Sequence, residues 1–157
     1  MPLFGIGELL AIAVKDEISG IAFYYALARR CKLPHIESAL IAIAKQEEGH
    51  RERFEEMLRE VGSYQPSEEY PGQYAEFLNA LLETRAFPDA EAAAQRAQGA
   101  ADDRDGLAMA QRLENDALIF YNELRQIVPP THEHEVEEVI REERDHLVQI
   151  AKLIKTL

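Results

Sequence analysis

Cys31 is the only cysteine among 157 residues, so no internal disulfide and no paired-thiol metal site can form within this chain. That scarcity suits a reducing compartment. Long apolar runs are missing too. The best candidate, residues 3–14, falls short of the roughly 20 residues that cross a bilayer, and Lys15, Asp16 and Glu17 follow it at once. It also lacks the basic start of a secretory leader, so a cytoplasmic protein without a membrane partner is expected. Positive charge is scarce: 17 Lys and Arg stand against 29 Asp and Glu, a net charge of −12. Phosphate backbones would be repelled, which argues against nonspecific binding to nucleic acid.

What remains is a soluble, globular composition, 46% hydrophobic and 29% charged, at a length that suits a single domain spanning residues 1–157. Four long helical patterns run from about Ile6 to Cys31, His35 to Val61, Asp105 to Ile127, and Thr131 nearly to Leu157. Gly62 ends the second, and Thr131 reads as the N-cap of the fourth, with Glu133 and Glu135 in its first turn. Short links join the first pair and the second pair into antiparallel hairpins, about 6–62 and 105–157. The connection between them, about 63–104, is long and partly helical. Ser63–Gly72 reads as loop, and Tyr74–Phe87 and Ala90–Ala97 as short helices. The expected fold is all-α: an antiparallel four-helix bundle with a long crossover between helices two and three, the ferritin-like arrangement.

A 3.5-residue seam can be drawn along each long helix. It passes through Ile6, Leu10, Ala13, Glu17, Gly20, Tyr24, Leu27 and Cys31 on the first. On the second it takes Ile36, Leu40, Ile43, Glu47, His50, Phe54, Met57 and Val61. The third gives Leu107, Ala110, Glu114, Ala117, Tyr121, Leu124 and Val128, and the fourth Val136, Val139, Glu143, His146, Ile150 and Leu153. Each stripe is apolar except at one repeated interruption. That interruption is a Glu, then about thirty residues later Glu-x-x-His, and it occurs twice: Glu17, Glu47, His50 and Glu114, Glu143, His146. Tyr24 and Tyr121 each follow the lone Glu by seven residues. Glu17–Glu114 and Tyr24–Tyr121 are offset by 97 residues, Glu47–Glu143 and His50–His146 by 96. The repeat predicts a pseudo-twofold axis through the bundle centre.

Four ionised carboxylates in one core would repel each other and be driven towards protonation. Two divalent cations would balance them. Glu and His at i and i+3 share a helix face, so both can reach one metal region. Glu47 and Glu143 are the expected bridging carboxylates, His50 and His146 the caps, and Glu17 and Glu114 the terminal ligands. Oxygen and imidazole donors suit iron or manganese, with zinc as an adventitious occupant. The small seam residues Gly20 and Ala117 would leave space beside the metals for oxygen or peroxide.

The stretches Glu17–Tyr24, Glu47–His50, Glu114–Tyr121 and Glu143–His146 resemble the rubrerythrin branch of the ferritin-like proteins, and the likeness extends over nearly the whole chain. The resemblance implies a non-haem centre of two iron ions that reduces hydrogen peroxide or oxygen, with the six residues above as its ligands. Rubrerythrins with a rubredoxin domain carry a four-cysteine iron site; one cysteine cannot form it here, so electrons would come from a separate, rubredoxin-like protein. Rubrerythrins also often place a further carboxylate on the third helix, where this chain has Ala117. The more symmetric set is similar to a bacterioferritin-type ferroxidase centre, so iron oxidation, storage or handling is the alternative function. Tyr24 and Tyr121 are expected to orient site carboxylates.

The remaining candidates read as ordinary. Glu48 and Glu142 fall off the seam and should be solvated. His35, His132 and His134 lie near helix starts and should be at the surface. Cys31 reads as a small buried filler, and Ser67, Glu68 and Glu69 as solvated loop. Val14, Ile18, Ile21 and Tyr25 form a second apolar stripe on the first helix. Either the crossover or a second subunit must cover it, and a homodimer is expected.

Overall fold

The computed structural model describes residues 5–61 and 72–157. Among the described residues there are six α-helices, α1 Ile6–Arg30, α2 Pro34–Val61, α3 Gly72–Glu83, α4 Ala90–Gln98, α5 Asp103–Ile127 and α6 Glu133–Lys155, and a 3₁₀ turn at Pro130–His132. No strand occurs among the described residues. The long helices α1, α2, α5 and α6 form the expected four-helix bundle, and α3 and α4 make up the helical part of the crossover.

Helix ends follow local chemistry. Asp102 caps α5 by accepting from the Asp105 backbone N–H, so that helix starts at Asp103, two residues before the expected Asp105. Asp89 caps α4 in the same way through Ala92 N–H. Pro34 opens α2, where its missing N–H costs nothing. Thr131 is not the N-cap of α6. It lies within the 3₁₀ turn closed by His132 N–H on Pro129 O at 2.8 Å, and α6 begins at Glu133. The helix expected to reach Phe87 stops at Glu83, where the Thr84 hydroxyl turns back onto Ala80 O. Most of the loop expected at Ser63–Gly72, including Ser67, Glu68 and Glu69, lies outside the described residues, and Gly72 already belongs to α3.

The seam is the core. Every seam position is buried except Cys31, Ala117 and Leu153, which are half-buried. Cys31 is the C-cap of α1 and is half-buried against the core: its N–H bonds back to Leu27 and Ala28, and its thiol donates to Leu33 O. Reciprocal contacts fix helix directions. Tyr24 meets Glu114 while Tyr121 meets Glu17, so α1 and α5 run antiparallel. His50 meets Glu142 while His146 meets Gln46, so α2 and α6 do too.

The crossover packs on one flank of α1. Phe87 stacks on Phe23 with ring centroids 5.2 Å apart, and Arg30 donates to Gln98 O. The other flank, with Val14, Ile21 and Tyr25 half-buried and Ile18 39% exposed, is not sealed by it. No described helix is long and apolar enough to cross a membrane. Phe87 is the anchor of the 84–89 strap, and truncating it leaves a hole against Phe23. Phe87→Ala is therefore expected to lower unfolding stability by about 3 kcal/mol. Urea denaturation followed by circular dichroism measures this, and an unchanged midpoint would show that the strap is not anchored there.

Candidate metal centre

The bundle geometry carries Glu17, Glu47, His50, Glu114, Glu143 and His146 into one fully buried cluster at mid-height. Two overlapping sets emerge. Glu17, Glu47, His50 and Glu143 each offer one atom within 4.8 Å of the others, and so do Glu47, Glu114, Glu143 and His146. Glu47 and Glu143 belong to both sets, whereas the other four residues belong to one each. The two imidazole rings lie 5.7 Å apart at an interplanar angle of 27°. His50 Nδ1 faces Glu143 at 3.2 Å, and His146 Nδ1 faces Glu143 at 2.9 Å and Glu47 at 3.0 Å.

The tyrosines cross between the halves. Tyr24 donates its hydroxyl to Glu114 Oε1, and Tyr121 donates to Glu17 Oε1 at 2.5 Å. Burial, reinforced by the nearby carboxylates, pushes both phenols well above their ordinary pKa, so each stays a donor. One oxygen of each lone Glu is thereby fixed. The opposite oxygens, Glu17 Oε2 and Glu114 Oε2, accept no well-directed hydrogen bond, and Glu47 Oε1, Glu143 Oε1 and His50 Nδ1 make none either, although the imidazoles stand within ion-pair distance of them. Buried polar atoms nearly always make well-formed hydrogen bonds. Five that do not, converging in a set of oxygen and imidazole donors, fit divalent cations.

Gly20 serves a closer purpose than leaving room for oxygen. A Cβ at that position would come 2.8 Å from Glu47 Oε2, so the glycine makes room for the carboxylate itself. The open space lies beside Ala117. A cavity of about 40 Å³ is lined by Asp16, Ser19, Glu47, Arg85, Phe87, Asp116, Ala117 and Tyr121, among others, and so reaches the cluster at Glu47. The strap forms its rim: Arg85 pairs with Asp16 at 3.1 Å, and Ala86 N–H donates to Asp116 at 2.7 Å.

Several residues set aside on sequence grounds take part. Glu142 is not simply solvated; it is half-buried, 2.7 Å from His50 Nε2 and 3.2 Å from Arg53. Gln46, overlooked entirely, lies 2.6 Å from His146 Nε2. Both directly precede a Glu-x-x-His motif, and that shared place was the available signal. Glu48 is half-buried and accepts from the Tyr25 hydroxyl. His132 is buried, with 8% exposed, because the 3₁₀ turn tucks it between Glu60 and Glu135. His35 and His134 are exposed as expected, and none of these three histidines joins the cluster.

Proton occupancy follows from the crowding. Burial, and then repulsion from Glu143, raises Glu17 and Glu114, the latter to about 8. Glu47 is raised further by burial and by all three other site carboxylates. Burial opposes charge on His50, but Glu143 and Glu17 outweigh it and lift the ring to about 12. Glu143, between both rings, is held below the carboxylate range despite its burial. Asp16 rises to about 7 through burial, with Arg85 opposing. Raised groups bind more protons folded than unfolded, so their stabilisation is full below the unfolded value and fades as pH rises to the folded one. Glu114 fades between 4.5 and about 8, Asp16 between 3.8 and about 7, and His50 above 6.5. The melting temperature of the metal-free protein should therefore fall steadily from about pH 5 to about pH 8. Calorimetry across that range checks it; a rising melting temperature would contradict the assignment.

Comparison with known proteins agrees with this geometry. The chain is similar to a protein from Thermotoga maritima, provisionally described as a ferritin-like diiron-carboxylate protein. The two share 22% identity over 97% of this chain and 95% of that one, with a TM-score of 0.69. At that identity the likeness shows the fold: a ferritin-like helical bundle. No curated protein sequence matches the chain. The rubrerythrin family model matches residues 8–98, which include Glu17, Tyr24, Glu47 and His50, and the chain therefore belongs to the rubrerythrin family.

Proposed function

We propose that the protein is a non-haem di-iron oxidoreductase that reduces hydrogen peroxide, or oxygen, at the centre of the bundle. The sharing of Glu47 and Glu143 between the two four-residue sets carries this reading, because a carboxylate common to two sets can bridge two ions. Glu17 and His50 would complete one position, Glu114 and His146 the other. Iron is the expected metal, with manganese chemically compatible and zinc adventitious. Bound there, an iron pair would supply the two electrons that convert peroxide and two protons into two waters.

The chain's own residues do the rest. Tyr24 and Tyr121 hold Glu114 and Glu17 in place from the opposite half of the repeat. The cavity of about 40 Å³ has room for an oxidant of two heavy atoms, and Arg85 of the strap lines it. Electrons must return from outside, and a separate rubredoxin-like protein is the expected donor. A cytoplasmic homodimer is the expected form, with the half-covered stripe around Ile18 as its contact.

Iron oxidation coupled to storage or handling is the second reading. Ala117 supports it: with no carboxylate there, the ligand set stays a symmetric four glutamates and two histidines. Stopped-flow oxidation of anaerobically iron-loaded protein separates the two. Peroxide should react at least about 10-fold faster than oxygen, a barrier difference of about 1.4 kcal/mol. Faster oxidation by oxygen would favour the second reading. Either reading requires metal binding to raise the melting temperature. Glu47→Ala should abolish most of that rise, and an unaltered rise would remove Glu47 from the ligands.

A further inference from the structure

The two halves match in their inward-facing groups and differ in what stands behind them. Gln46 precedes Glu47 and Glu142 precedes Glu143, so the pair occupies one repeat position, 96 residues apart. Across the antiparallel α2–α6 contact, each reaches the other helix's histidine. His50 Nε2 lies 2.7 Å from Glu142 Oε2, and His146 Nε2 lies 2.6 Å from Gln46 Oε1. Both Nδ1 atoms point at the carboxylate cluster. When Nδ1 is the ligand atom, Nε2 keeps its hydrogen and donates it outward. The acceptor is a carboxylate in one half and a neutral amide in the other.

That difference matters chemically. A hydrogen bond to an ionised acceptor is about twice as strong as one to a neutral acceptor. It draws the Nε2 proton outward and enriches the lone pair on Nδ1, which makes the imidazole a better donor to a metal. Arg53 takes part of the Glu142 charge at 3.2 Å, but it also fixes that carboxylate's orientation. The repeat equivalent of Arg53 is Gln149, so the whole His50–Glu142–Arg53 chain has no charged counterpart behind His146. We infer that Glu142 and Gln46 are positioning residues that make the two metal positions unequal: the ion beside His50 is held more tightly, and the ion beside His146 exchanges more readily.

This inference rests on the metal reading above, and its test separates the two. The probe is cobalt(II), added to metal-free full-length protein and followed by calorimetry and by cobalt absorption. Wild type should show two binding events whose affinities differ by about 10-fold or more. Glu142→Gln keeps an acceptor oxygen at a half-exposed site, so the fold should survive, as circular dichroism would verify. It should weaken the tight event about 10-fold and bring the two together. Gln46→Glu acts independently and should tighten the weaker event. The double exchange should restore the split with the positions reversed. Two equal events in wild type would overturn the inference, as would equal weakening of both by Glu142→Gln, which marks a merely structural role. Absence of any cobalt binding would overturn the metal reading itself and this inference with it.

Discussion

Like charge in a confined, water-poor space governs this molecule. Two carboxylates about 4 Å apart repel by roughly 4 kcal/mol at an effective dielectric constant of 20, and four glutamates share the same interior. They cannot all be ionised unless positive charge enters among them. Without metal, protons and the two imidazoles supply that charge. Glu143 keeps its negative charge because both rings face it, while Glu17, Glu47 and Glu114 are pushed towards protonation. A cation pair would release those protons and take their place. Folding, proton binding and metal binding thus compete for the same few atoms.

The bundle distributes the cluster so that neither hairpin holds it alone. α1 and α5 each bring a lone glutamate and a tyrosine; α2 and α6 each bring the Glu-x-x-His. Antiparallel pairing then crosses the contacts: the tyrosine of one half binds the glutamate of the other. Each four-residue set also takes Glu47 from one hairpin and Glu143 from the other. The hairpins must therefore dock before any complete site exists, and the apolar clusters on either side of it, one setting Phe54 against Tyr121 and the other gathering Ile43 with Leu107, drive that docking.

The inward face was legible because periodicity speaks directly to it. A seam that places Glu and His among Leu and Ile reports burial and chemistry together, and all six groups converge. What lies behind that face was not legible. Glu142 and Gln46 sit one residue off the seam, where a polar side chain ordinarily meets water; only the neighbouring helix tells that each faces an imidazole. His132 followed the same logic in reverse. Its place near a helix start suggested the surface, but two prolines tighten the chain into a 3₁₀ turn and tuck the ring inward. Gly20 could be recognised as making room, but the seam suggested an oxidant as its occupant, and the structure gives that room to the Glu47 carboxylate. The strap escaped as well, since the spacing of Phe77, Leu78, Leu81 and Leu82 continues no further signal to mark Glu83 as the end.

The crossover decides how a symmetric core acquires a direction. The pseudo-twofold axis relates the ligands, but one chain has a single crossover, and it packs beside α1. There Asp16 stands where the other half has Leu113, and Ser19 where it has Asp116. All four line the cavity beneath Arg85 and Phe87, so the repeat's divergent positions gather at one mouth. The divergent pair Gln46 and Glu142 lies instead at the α2–α6 contact, the other long seam of the bundle. One side therefore differs in access and the other in the groups backing the imidazoles. In the proposed function, gripping two ions would require the halves to agree at the ligand atoms, and admitting an oxidant from one side would require them to differ behind those atoms. The two demands are compatible because the axis constrains only what points inward.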